Sequence, residues 1–204
     1  MSEPEPRPDR GIPEDFDRAY RHLGVVTSLA NAIDLRLLQW GTWIEDPVDP
    51  DSLRPKWAKR STRGKRVELK KLLPPIWAPG LKLIDGVRRA FLYRNSIAHA
   101  SVHFHFESPN PNPIWIWRAV NKDGSPRSDS IEFEAFAKWE LRLSALEQCL
   151  TWLVYPGMPM IRDGYLVLEQ LDLATQLLEV GRSPALGIDH PPDEWRTAVA
   201  WLLA

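Results

Sequence analysis

The residues with the clearest capacity for chemistry lie in the segment FLYRNSIAHA, which covers residues 91–100. On a helical wheel of about 100° per residue, Arg94 lies at the centre of an apolar sector. The apolar residues within about 60° of it are Leu83, Val87, Ala90, Phe91, Ile97 and Ala98. A guanidinium among apolar side chains is costly unless an anion pairs with it. One interpretation is therefore a cleft in which Arg94 binds a phosphate through its planar, permanently charged fork.

Arg94 also has two purely structural explanations. Its charge could be paired with Asp34 or with another acid of the first predicted helix. Alternatively, the aliphatic stem could be buried while the guanidinium reaches solvent at the rim of the bundle. The sequence leaves all three interpretations open.

Asn95 and His99 lie four residues apart, so they are neighbours if the helix continues. Histidine has an unperturbed pKa of about 6.5, which suits it to general acid–base catalysis. A nearby arginine could stabilise charge that develops on phosphoryl oxygens. On an ideal helix, however, Arg94 and His99 are about 140° apart around the axis and about 7.5 Å apart along it. We therefore expect either that the helix ends near residues 98–100 or that two chains complete one site.

The hexapeptide RNSIAH, residues 94–99, resembles the signature of the HEPN superfamily, which is an arginine, a polar residue and a downstream histidine. The four residues IAHA, 97–100, also resemble a common local form of that signature. The resemblance implies an all-α bundle with the motif on a central helix. It further implies a metal-independent endoribonuclease without a cofactor, which cleaves RNA through attack by the 2′-hydroxyl.

In that family's arrangement, Arg94 and His99 would be the catalytic pair and Asn95 the supporting polar residue. The active form would be a homodimer whose two motifs share one cleft. The biological role would be that of a toxin or a phage-defence effector, controlled by an antitoxin or another regulatory protein. The alternative is a non-catalytic HEPN-like module that binds RNA or protein.

Two further groups of side chains could contact RNA. The first is a basic run between residues 54 and 71 that has Glu68 as its single acid, with Trp57 as a residue on which a base could stack. The second is the alternating pair His103 and His105. Structural alternatives are a solvated loop for the basic run and an exposed strand face for the histidines. The two histidines lack a third ligand, so no metal site is predicted. The candidate RNA-binding residues are Lys56, Trp57, Lys59, Arg60, Arg63, Lys65, Arg66, His103 and His105.

Apolar residues recur at steps of three and four along most of the chain, which predicts amphipathic helices. The predicted helices cover about 13–44, 65–73, 81–98, 164–180 and 193–203, with another from a cap at Asp129 to Pro156. Apolar and polar residues alternate in 101–107 and 114–117, which predicts a hairpin around 101–120. We expect an all-α fold, a bundle of about five or six helices with this hairpin inserted.

Composition indicates one globular domain. The chain has 204 residues, of which 44% are hydrophobic and 26% charged. We assign residues 13–204 to the domain and expect the proline-rich, charged residues 1–12 to be a disordered lead-in. A net charge of −1 restricts any RNA contact to a local patch. The single cysteine, Cys149, excludes an internal disulfide, and no signal peptide or membrane-spanning run is visible, so we expect a cytoplasmic protein without a membrane partner.

Overall fold

The computed structural model describes residues 14–73, 78–98, 100–104, 114–118, 127–131, 133–153, 161–162, 165–166, 182–183 and 185–204. This part of the chain is mostly helical, which confirms the predicted all-α fold class. Its six helices are α1 (Glu14–Glu45), α2 (Pro50–Ala58), α3 (Thr62–Leu72), α4 (Ala78–Ala98), α5 (Phe133–Leu153) and α6 (Pro192–Leu203). None of these helices combines the length and the hydropathy that a membrane crossing requires. The predicted lead-in, residues 1–12, lies outside the described residues.

Helix α1 is the central element of the bundle, and its bounds match the predicted helix at 13–44. Its 32 residues extend for about 48 Å. It packs against α2, α3, α4 and α5, because one face of it carries large apolar side chains at steps of three and four. The fully buried members of that face are Val26, Leu29, Ile33, Leu37 and Trp40.

Helix α2 lies between the predicted helices at 13–44 and 65–73, in a segment for which the sequence predicts no helix. The carboxylate of Asp49 accepts a hydrogen bond from the backbone N–H of Ser52 and so caps the helix. Pro50 suits the first turn of the helix, because a backbone N–H there has no acceptor within the helix and its absence costs no hydrogen bond. Pro55 lies inside the helix, and the burial of Trp57 nearby explains why the helix nevertheless forms.

A small sheet lies between α4 and α5 in the chain. Strand β1 (Ala100–Phe104) pairs antiparallel with β2 (Ile114–Arg118), which confirms the predicted hairpin. A third strand, β3 (Arg127–Ile131), pairs with the other edge of β2. The prediction that Asp129 caps the next helix is wrong, because Asp129 lies within this ladder and α5 begins only at Phe133.

The region after α5 begins with short strands, where the sequence predicts a helix. Two short antiparallel pairs are present, and the second closes around Gly187, whose φ of 65° favours glycine. The predicted helix at 164–180 is contradicted at its beginning by the first pair, and its remainder, 167–180, lies outside the described residues. Helix α6 confirms the prediction at 193–203. The pairs are β4 (Ile161–Arg162) with β5 (Tyr165–Leu166), and β6 (Arg182–Ser183) with β7 (Ile188–Asp189).

Candidate active site

Arg94 lies near the end of α4, and its side chain is partly buried. Its Nη1 donates a hydrogen bond to Oδ1 of Asn95 at 3.1 Å. Its Nε is buried and has no hydrogen-bond partner within the described residues. The alternative of an ion pair with Asp34 is wrong, because Asp34 binds Lys65 at 2.5 Å and Thr62 at 2.7 Å. Arg94 thus retains donors that no described acid uses.

Helix α4 ends within the motif, which is one of the two geometries considered above. The helix ends at Ala98 and β1 begins at Ala100, so the backbone leaves the helical path within the motif. An ideal helix therefore does not run through the whole motif. His99 itself lies outside the described residues, and its pairing with Arg94 stays a prediction.

Of the other two histidines near the motif, only one lies in the described part of the chain. His103 is in β1, where it pairs with Trp115 of β2. His105 lies outside the described residues. The contact of either histidine with RNA stays a prediction.

The residue before Arg94 belongs to a buried hydrogen-bond network that joins three helices. His22 of α1 is almost fully buried. Its Nδ1 lies 2.6 Å from Oε1 of Glu140 on α5, and its Nε2 lies 2.7 Å from the hydroxyl of Tyr93 on α4. The His22 ring also stacks on Phe136, with 4.0 Å between centroids and 5° between planes. The network fixes α4 against α1 and α5 one residue before Arg94.

For a neutral imidazole at His22, the chemistry of the three groups assigns the protons. A carboxylate can only accept, so Nδ1 of His22 donates to Glu140. Nε2 is then the acceptor, and the hydroxyl of Tyr93 donates to it. Burial, followed by the negative charge of Glu140, raises the pKa of Tyr93 well above its usual range. The phenol therefore stays protonated, and His22, Tyr93 and Glu140 act as positioning residues.

No role is predicted for His22 from the sequence, although its spacing carries a signal. His22 falls between buried Ala19 and buried Val26 at helical steps, so it lies on the core face of α1. A histidine on a core face needs hydrogen-bond partners. The partners on α4 and α5 are remote in sequence, and spacing alone does not identify them.

Trp57 is not an exposed stacking residue, which corrects its predicted role in RNA binding. Its indole is fully buried between α1 and α2, and its Nε1 donates a hydrogen bond to Oε2 of Glu45 at 2.7 Å. The same carboxylate pairs with Lys56. Trp57 and Lys56, both predicted to contact RNA, therefore both interact with Glu45 of α1.

Most of the remaining basic run is also paired within the bundle. Lys65 is buried against an acid of α1, and Arg60 pairs with Glu68 at 3.0 Å. Arg66 donates from Nε to the carbonyl of Ile84 at 3.1 Å. Lys59 and Arg63 are exposed and make no hydrogen bond or ion pair within the described residues. The charges of the basic run are therefore largely paired, and within this run the predicted RNA surface reduces to these two side chains.

Glu147 is a buried acid on α5, beside α1. It is fully buried, accepts a hydrogen bond from Thr151 at 2.8 Å and lies 3.7 Å from Nε of Arg36. Burial raises its pKa above the usual 4.5, and the hydrogen bond and the nearby arginine only partly offset that effect. Folding therefore shifts this carboxyl toward its protonated form.

We expect Glu147→Gln to stabilise the protein at neutral pH by about 2–4 °C in Tm, the shift that about 1 kcal/mol produces in a domain of this size. A raised folded-state pKa contributes stability that is present below pH 4.5 and is lost as the pH rises through the folded value. The difference in Tm between variant and wild type should therefore grow from pH 4 to pH 8.

Glu68 provides a control of opposite sign. Its hydrogen bond to Lys71, followed by that to Arg60, lowers its pKa. Its contribution is therefore present above pH 4.5 and is lost as the pH falls. Glu68→Gln should be destabilising at neutral pH, and its difference from wild type should shrink in acid. Parallel trends for the two variants would contradict the assignment for Glu147.

No group of three His, Cys, Asp or Glu side chains in the described ranges is placed to hold a metal ion. Comparison of the chain with protein-family models, with curated proteins and with solved structures finds no match. The candidate site is therefore defined by Arg94, Asn95 and the network behind them.

Proposed function

We propose that this protein is a metal-independent endoribonuclease of the HEPN type. The 2′-hydroxyl of the substrate attacks the adjacent phosphorus while His99 accepts its proton. The new 2′-O–P bond forms as the P–O5′ bond breaks, and the leaving oxygen takes up a proton. Arg94 holds the phosphoryl oxygens during this exchange, and the products carry 2′,3′-cyclic phosphate and 5′-hydroxyl ends.

The observation that carries the proposal is the state of Arg94. Its side chain is partly buried, its Nε has no partner within the described residues, and its one hydrogen bond goes to neighbouring Asn95. Buried guanidinium groups are normally paired. A phosphate bound at the end of α4 would supply the missing acceptor.

A second copy of the chain would complete the site. Removing a proton from the nucleophile and delivering one to the leaving oxygen is easier with two histidines than with one. Leu92, two residues before Arg94, has a 57% exposed side chain, and Asn95 is exposed beside it. We propose that a twofold dimer covers this face and joins the two Arg94–His99 motifs. A toxin or phage-defence role controlled by an antitoxin would suit such an activity.

The test is RNA cleavage by the purified protein in EDTA. We expect wild-type protein to cut total RNA, and His99→Ala and Arg94→Ala to lose that activity. Arg88→Ala is the matched control, because Arg88 is exposed on the same helix and makes no hydrogen bond or ion pair within the described residues. Cleavage by wild type should leave cyclic phosphate ends.

Two outcomes would contradict the proposal. One is the absence of wild-type cleavage, in which case RNA retention without turnover would indicate the non-catalytic binding module. The other is equal cleavage by His99→Ala. For the shared cleft, Arg94→Ala and His99→Ala chains are co-expressed, and the heterodimer should differ in activity from both mutant homodimers.

A further inference from the structure

Two arginines approach one indole where α4, α5 and α6 meet. Cζ of Arg89 on α4 lies 4.5 Å from the ring centroid of Trp201 on α6. Cζ of Arg142 on α5 lies 4.2 Å from the same centroid and 5.1 Å from that of Trp139. We call Arg89 and Arg142 the arginine pair. Contacts of this kind hold the flat guanidinium groups in place and leave their edge N–H groups available.

The positive charge of the arginine pair is not balanced by any described acid. Neither member forms an ion pair in the described ranges, and Nε of Arg89 is buried without a hydrogen-bond partner. Arg60 differs in this respect, because it is partly buried and pairs with Glu68 at 3.0 Å. Burial, and then the nearby charge of Arg89, lower the pKa of Arg142.

The end of α6 explains only part of this arrangement. Nη2 of Arg89 donates a hydrogen bond of 3.4 Å to the carbonyl of Trp201, in the last turn of that helix. A cation is favourable there because the last carbonyls of a helix are unpaired and carry partial negative charge. Arg142 makes no hydrogen bond within the described residues, so helix capping does not account for the pair.

We propose that the arginine pair binds a phosphate group. Each guanidinium offers five N–H donors in a planar fork that matches two oxygens of a phosphate, and two forks together match its charge. The indole of Trp201 holds both forks at one place. Binding would supply acceptors for the N–H groups of Arg142, which have none within the described residues. This proposal does not rest on the ribonuclease activity.

The site lies close to the network behind Arg94. Trp139 stacks on Tyr93 at 4.1 Å and meets Trp201 edge to face at 5.5 Å. Tyr93 is one helical turn beyond Arg89 on α4. The phosphate could therefore belong to a mononucleotide or to the backbone of a longer nucleic acid that also reaches Arg94.

The experiment is calorimetric titration of the full chain with inorganic phosphate at constant ionic strength. We expect saturable binding to wild type, weakened at least about tenfold by Arg89→Gln and by Arg142→Gln because each removes a charged donor fork. Arg88→Gln is the matched control and should bind within about twofold of wild type, since an exposed neighbouring arginine lies outside the site. Absence of binding to wild type, or equal binding by Arg142→Gln, would overturn the proposal.

Two further arms identify the source of the phosphate and guard against misfolding. A nucleoside 5′-monophosphate and a 2′-O-methyl oligonucleotide, which cannot undergo 2′-hydroxyl attack, are titrated in parallel. Tighter binding of the nucleoside monophosphate would indicate a phosphomonoester ligand. Tighter binding of the oligonucleotide would indicate a nucleic-acid backbone. In either case the binding should depend on the arginine pair. If Arg142→Gln does not fold, Arg142→Lys keeps the charge without the fork and should bind about fivefold more weakly. Binding equal to wild type would then overturn the proposal.

Discussion

A His22→Ala variant should lose about 3–4 kcal/mol of unfolding free energy, a large share of the total for a domain. The substitution removes both hydrogen bonds of the buried imidazole and its stacking on Phe136. It also leaves the buried hydroxyl of Tyr93 without an acceptor and creates a cavity at the junction of α1, α4 and α5. Urea denaturation followed by far-UV circular dichroism measures the loss.

Two companion variants make this measurement specific. Arg21→Ala changes an exposed neighbour on α1 and should stay within about 0.5 kcal/mol of wild type. Tyr93→Phe removes one hydrogen bond but keeps the ring, so it should cost about 1–2 kcal/mol. If His22→Ala costs no more than Arg21→Ala, the network does not hold the three helices together.

Gly41→Ala should destabilise the protein by about 2 kcal/mol, although alanine is normally the better residue in a helix. An ideal Cβ at this position would lie 2.6 Å from Cε3 of Trp57 and closer still to two other carbons of that ring. Trp57 is fully buried and tied to Glu45, so it has no open space to move into. Overpacking of about 3 kcal/mol then outweighs a helix-propensity gain of about 1 kcal/mol.

Gly24 gives the matched control for Gly41 on the same helix. A Cβ at Gly24 would meet nothing within 4 Å, and the position is exposed. Gly24→Ala should therefore raise stability by up to about 1 kcal/mol through helix propensity alone. Thermal melts of the two variants should shift in opposite directions. A stabilising Gly41→Ala would show that Trp57 does not pack on α1 as described.

The long helices could be predicted from sequence because each has a wide apolar face of its own. In α1, apolar residues recur at helical spacing along its 32 residues. After Ala98 the pattern changes from helical spacing to alternation, which marks the end of α4. Helix α2 could not be predicted in this way. Pro55 lies inside it, where proline disfavours a helix, and the burial of Trp57 that stabilises the helix depends on α1.

At the candidate site, too, the sequence predicts the burial of a residue better than its contacts with residues that are remote in the chain. The wheel around Arg94 correctly indicates a partly buried guanidinium, since its neighbours Ala90 and Ile97 are buried. The absence of an ion pair between Arg94 and Asp34 could not be predicted from the sequence. It depends on the packing of α3 against α1, which places Lys65 beside Asp34. The arginine pair escapes detection for a related reason: Arg89 and Arg142 are brought together by helix packing across more than fifty residues of chain.

Helix α1 packs at one end on Trp57 and contributes His22 to the network at the other. An amide in its middle can exchange its hydrogen with solvent only after several helix interfaces have opened together. Hydrogen exchange of these amides should therefore require global unfolding. The protection of amides in the short α2 should depend mainly on its interface with α1. The bundle thus behaves as one cooperative unit along α1, and a packing defect at either end lowers the protection of the whole helix.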